Sequence, residues 1–181
     1  MNPMLSALRE LESVALSLDD TQIEAACQTI ARARRIVAYG CGREGLMMQA
    51  LTMRLHHLGL QVAMQGDIAA PHLGQGDLFL CSAGPGELST VSALMGVAQR
   101  DGAQVLMITA EPDKPSPRRA NHLLVIPAQT MARDLGGTST LPMGSIYEGA
   151  MFLVCEIMVL RLTAILGQTP DQMRARHTNM E

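Results

Sequence analysis

Five short runs of nearly unbroken Val, Ile, Leu, Met and Ala, most of them followed by a helical stretch, constrain this chain more than any other feature. The first, RIVAYG (35–40), runs into a glycine-rich turn, CGREG (41–45), and then a helix from about Leu46 to Leu58. The second, QVAMQG (61–66), closes a βαβ unit. LFLCSA (78–83), a Gly-Pro-Gly turn, a helix from about Glu87 to Arg100, QVLMITA (104–110) and LLVIPA (123–128) continue the alternation. Strands apolar on both faces need helices on both sides, and helical crossovers make them parallel. The expected fold is α/β: a three-layer αβα sandwich around a five-stranded parallel sheet.

At about 150 residues per domain, 181 residues make one domain, 1–181. Leu5, Leu8, Leu11 and Ala15 recur at helical spacing, and Asp19 or Asp20 offers an N-cap to a second helix, so residues 1–34 read as two N-terminal helices. A long loop (128–144) leads to an apolar helix from about Ser145 to Leu166, and a polar C-terminal tail occupies 168–181. Such a helix must lie in a large core or against a second subunit, so a homo-oligomer, dimer or tetramer, is expected. Glu156 and Arg161 interrupt residues 149–167, which excludes a membrane span. A net charge of -3 with no basic patch argues against nucleic acid. Lys114 is the lone lysine, which leaves Schiff-base and P-loop chemistry without its usual residue. Four scattered cysteines and an N-terminus without a basic-then-apolar pattern suit a reduced, cytoplasmic protein.

Gly40, Gly42 and Gly45 form G-x-G-x-x-G between strand and helix, the setting of a dinucleotide fingerprint, with Asp67 near the place of a ribose-binding carboxylate. Glycines of this spacing also serve any tight strand-to-helix turn, and a nicotinamide-dependent reductase ranks third among the readings. A second turn, Ser82 to Glu87, puts another helix N-terminus beside the first, either as an anion site or as an ordinary connection. Ser145-Ile146-Tyr147-Glu148 fits a capping box, which would tie the Glu148 carboxylate to the start of the last helix. His56 and His57 diverge by about 100° on their helix, so no metal site is read there. Cys41 and Cys81 fall near strand ends, with no nucleophilic role assigned.

The segments Tyr39–Gly45, Met53–Gly59, Pro142–Glu148 and Arg176–Glu181, with Gly84, Gly86 and Glu87, together resemble sugar isomerase (SIS) domains, most of all the 6-phospho-3-hexuloisomerases. The resemblance implies a five-stranded αβα fold, often a tetramer, and interconversion of a 3-hexulose 6-phosphate with fructose 6-phosphate through an enediol, without metal or organic cofactor. By the same resemblance Glu148 is the base and His177 a ring-opening acid or proton relay. Candidate substrate donors are Arg43, Ser82, Ser89, Thr90 and the backbone of Gly84 and Gly86, in an expected site completed by Gly42, Glu44, Glu87 and Ser145. This chain departs from the family at Glu44, where a small hydroxyl residue is usual, and at Ala83, Pro85 and Leu88 in the second turn. Those departures support the second reading, a divergent SIS domain that binds a different or unphosphorylated sugar and need not be catalytic.

Overall fold

The structure, a computed structural model, describes residues 2–133 and 139–180. The central part of the long loop and Glu181 lie outside the described residues. Helices α1 (Pro3–Leu16) and α2 (Asp20–Arg32) precede β1 (Ile36–Gly40), α3 (Gly42–His57) and β2 (Val62–Met64). Then follow β3 (Leu78–Ser82), α4 (Ser89–Arg100), β4 (Gln104–Thr109), α5 (Pro115–Arg119), β5 (His122–Val125), α6 (Ser145–Ile165) and α7 (Pro170–Ala175). All strand pairs are parallel, in the order β2-β1-β3-β4-β5.

Alternation along the strands sends Ile36, Ala38, Leu78, Leu80, Leu106 and Ile108 to one face, under α1, α2, α3 and α6. Val37, Phe79, Cys81, Val105 and Met107 point to the other, where Val91, Met95 and Ala98 of α4 cover them. Both faces are therefore buried, and each wholly enclosed Leu, Ile or Met contributes about 1.5–3 kcal/mol. Among the described residues no helix is long and apolar enough to cross a membrane. The apolar α6 buries Ile146, Met151, Val154 and Met158 but leaves Phe152, Leu153, Ile157 and Leu160 about half exposed in the isolated chain.

Three boundaries differ from the sequence expectation. α3 begins at Gly42 rather than near Leu46, because Gly45 packs on Gly40: a Cβ on Gly45 would lie 2.6 Å from the Gly40 carbonyl oxygen, so the turn is already helix. α4 begins at Ser89, since the Glu87 carboxylate is drawn to Ser92 Oγ and the Ser116 N–H instead of continuing the helix. The polar tail contains α7, started by a capping box between Thr169 and Gln172.

Asp77 ties the loop before β3 to the start of β1. Its buried carboxylate accepts from Arg34 Nε (3.0 Å), Arg35 Nη2 (2.9 Å) and the Gly74 N–H (2.9 Å). Burial pushes this carboxyl up, but the hydrogen bonds from Arg34, Arg35 and Gly74 outweigh it and hold it at about 2. Against an unfolded value near 3.9, that contribution is complete above the unfolded pKa and is lost as pH falls through about 2. In urea unfolding at neutral pH, Asp77→Asn should cost roughly 2 to 3 kcal/mol. The gap to wild type should narrow steadily between pH 4 and pH 2, and a constant gap would show that charge is not its source.

Candidate active site

In the strand order β2-β1-β3 the chain turns in opposite directions from the carboxyl ends of β1 and β3, and this switch point opens a crevice. Gly40 and Ser82 stand side by side in register there. The first turn delivers Gly42, Arg43 and Glu44 to the opening of α3, and the second delivers Gly84 and Pro85. The far wall comes from α6 and the chain before it. Together they enclose a cavity of about 430 Å³ lined by Arg43, Glu44, Tyr147 and Glu148 and by the apolar Pro85, Leu88, Met131 and Met143.

Glu148 reaches this cavity because the expected capping box does not form. The N-cap of α6 is Gly144, at φ 75 and ψ 13, following Met143 in the same left-handed region. Glycine is required: a Cβ there would meet the Met131 nitrogen at 2.3 Å. Ser145 is thereby moved into the first turn, and its hydroxyl donates back to the Pro142 carbonyl at 2.7 Å. The Glu148 carboxylate is left to pair with Arg43 Nη2 at 3.2 Å, and its side chain is 20% exposed. The same guanidinium donates to the Met143 carbonyl at 3.4 Å.

Glu44, expected at the site, lines the same cavity as Glu148 and is 8% exposed. Its carboxylate accepts the Gly84 N–H at 3.0 and 2.9 Å and the Ser82 hydroxyl at 2.5 Å. Ser82 Oγ is in turn 3.3 Å from the Tyr147 hydroxyl, a fully enclosed phenol. With its own hydrogen directed to Glu44, Ser82 accepts from Tyr147, making a chain of donors that ends on the carboxylate. Burial pushes Glu44 above the usual carboxylate range, opposed by the Ser82 and Gly84 hydrogen bonds and reinforced by the nearby Glu148 charge. Tyr147 is driven well above the usual phenol value by burial, so it is a donor at neutral pH.

Other expected residues fall elsewhere. Gly86, at φ +81, packs on Glu111 and Lys114, and Glu87 is spent on Ser92 and Ser116. Ser89 and Thr90 begin α4 outside the cavity lining, Thr90 beside the Tyr39 hydroxyl. Asp67 caps its own turn by accepting the Met64 N–H, which gives it a structural task in place of a ribose. The tail docks at the opposite end of α3: Arg176 donates to the His57 carbonyl and to Gln168 Oε1, each at 2.8 Å, and the His177 ring lies 5.1 Å from that of His57. His57 is 13 positions beyond Glu44 in the same helix, roughly 20 Å at 1.5 Å per residue, so within one chain the tail does not contribute to this site. Cys41, noted for its place at a strand end, does line the cavity. Tyr147 and Thr130 are the functional candidates that sequence reasoning missed. Tyr147 sits inside a quoted segment without a role, and nothing in the sequence distinguishes Thr130 from other loop residues.

Residues 29–152 match the SIS domain. The 3-hexulose-6-phosphate isomerase of Mycobacterium gastri is 31% identical over 178 residues, covering 98% of this chain and 89% of that protein. That of Bacillus subtilis is 27% identical over 175 residues, 96% and 95% of the two chains. A Methanococcus jannaschii protein, whose crystal structure is described as inferring a 3-hexulose-6-phosphate isomerase function, has a TM-score of 0.86 over 100% of both chains. At 18% identity that likeness speaks for the fold alone. With its switch-point crevice, its matched domain and relatives that span nearly its whole length, this chain belongs to the SIS domain family.

Proposed function

We propose that the chain is a sugar isomerase that moves a carbonyl between C3 and C2 of a hexulose through an enediol, with Glu148 as the base. The 3-hexulose 6-phosphate and fructose 6-phosphate pair, for which its relatives are named, is the first to test. The observation that supports this most is the release of Glu148 from helix capping into a partly enclosed cavity beside a single guanidinium. Glu148 takes the hydrogen of C2, adjacent to the C3 carbonyl, as a proton. The C2–H electron pair becomes the double bond of the enediol, and the proton returns to C3 while the hydroxyl hydrogen moves from O2 to O3. Arg43 is the cation placed to steady the negative charge that develops on oxygen. Neither transfer needs a cofactor.

The apolar stripe of Phe152, Leu153, Ile157 and Leu160 supports a homo-oligomer with α6 at its seam. His177 then serves the site of a neighbouring subunit rather than its own. In deuterated water the protein should place solvent deuterium on C3 of fructose 6-phosphate, read by loss of that proton signal in NMR. Absence of both exchange and a second ketose, with fructose 6-phosphate and with fructose alike, would overturn the isomerase reading.

A further inference from the structure

The cavity is built against a dianion. Arg43 is the one cation among its described lining residues, and it already faces Glu148 and the Met143 carbonyl. Two carboxylates, Glu44 and Glu148, line the same space. From Ala83 to Gly86 the second turn has no backbone donor to spare: the Ala83 N–H goes to the Ile108 carbonyl, that of Gly84 to Glu44, Pro85 has none, and that of Gly86 closes the turn on Ala83. The Ser82 hydroxyl also points at Glu44. Glu44 itself lies in the first turn of α3, where the helix start favours a negative charge. The protein thus supplies its own anion where an anionic ligand would seek donors. What remains unmet is a neutral group: the Thr130 hydroxyl, 3% exposed in the cavity wall, has no hydrogen-bond partner among the described residues.

We propose that Glu44 sets the specificity of this site by holding the buried donors that a substrate phosphate would need, so that the pocket takes a ketose uncharged at that end in preference to its phosphate ester. The proposal rests on the isomerase reading only for the ligand being a ketose. A phosphate entering the crevice must displace Glu44 from Ser82 and Gly84 or lie against its charge, whereas a hydroxyl can donate to the Glu44 or Glu148 carboxylate and pair with Thr130.

Calorimetric titration of the full-length protein at neutral pH, with fructose and fructose 6-phosphate as probes, tests this directly. Glu44→Ser should bind fructose 6-phosphate about tenfold or more tighter than wild type, because it removes a like charge and frees the Gly84 N–H and Ser82 hydroxyl. Binding of fructose should not strengthen. Glu44→Gln removes the charge but keeps the side chain in place, so it should shift the same way by less, and it carries the decision if the serine variant does not fold. No gain for fructose 6-phosphate in a variant with a wild-type melting profile would overturn the proposal. So would a wild type that binds fructose 6-phosphate at least about tenfold tighter than fructose. These titrations need no turnover: a protein that discriminates as expected yet exchanges no deuterium at C3 of either fructose or fructose 6-phosphate keeps the role of Glu44 and loses the isomerase reading.

Discussion

Glu148→Gln should leave a folded protein whose ketose interconversion falls by a factor of about 100 to 10,000, the range that a positioned acid-base group supplies. Two features of the structure make the result interpretable. The start of α6 is capped by Gly144 and by the Ser145 hydroxyl on the Pro142 carbonyl, so the carboxylate holds no helix end together. The pair with Arg43 is half exposed on the arginine side, where such contacts contribute about 0–1 kcal/mol. Glutamine preserves volume and an acceptor for Arg43 but cannot take up the C2 proton. The melting temperature should therefore move by only a few degrees while the NMR exchange at C3 disappears. Exchange within a few-fold of wild type would remove Glu148 from the base role and leave the enclosed Glu44 as the nearest other carboxylate.

The strands were legible because burial on both faces demands the unbroken apolar runs from which they were read: four of the five lie inside their expected segments, and β5 begins one residue earlier, at His122. Residues whose role depends on which neighbour arrives were not legible. Ser145 and Glu148 satisfy a capping pattern at the level of spacing, but the close approach of residues 130 and 131 forces a glycine cap one residue earlier and cancels it. Glu44 could be seen to bring charge to the first turn. That it would be turned inward onto Ser82 and Gly84 follows from β1 and β3 being neighbours, which no local pattern encodes. Glu87 was expected in the substrate site, yet it anchors α5, a five-residue helix in a Pro-rich stretch with too little periodicity to be read beforehand. The docking of the tail within its own chain was illegible for a different reason. It is polar, but Arg176 docks on a backbone carbonyl, an acceptor available at the end of any helix.

Co-expressing His177→Ala with Glu148→Gln should yield mixed oligomers with about a quarter of wild-type activity, although each variant alone is nearly inactive. His177 sits beside His57 at the far end of α3, roughly 20 Å of helix from the acid cluster, so no movement of side chains can bring it to Glu148 of its own chain. α7 is short and is held by Arg176 to both the His57 carbonyl and Gln168, which argues against the tail crossing that distance alone. A second copy can close the gap, and the half-exposed Phe152, Leu153, Ile157 and Leu160 of α6 present the apolar surface on which one would pack. If each site pairs Glu148 of one subunit with His177 of another, a mixed dimer has one intact site and one doubly defective site. Random pairing makes about half of the dimers mixed, which leaves about a quarter of the sites intact. Wild-type activity of His177→Ala alone would take the histidine out of the reaction. Two inactive variants that fail to complement, while running at the wild-type oligomer size, would instead place His177 in the stability of α3 and α7, where its contact with His57 already lies.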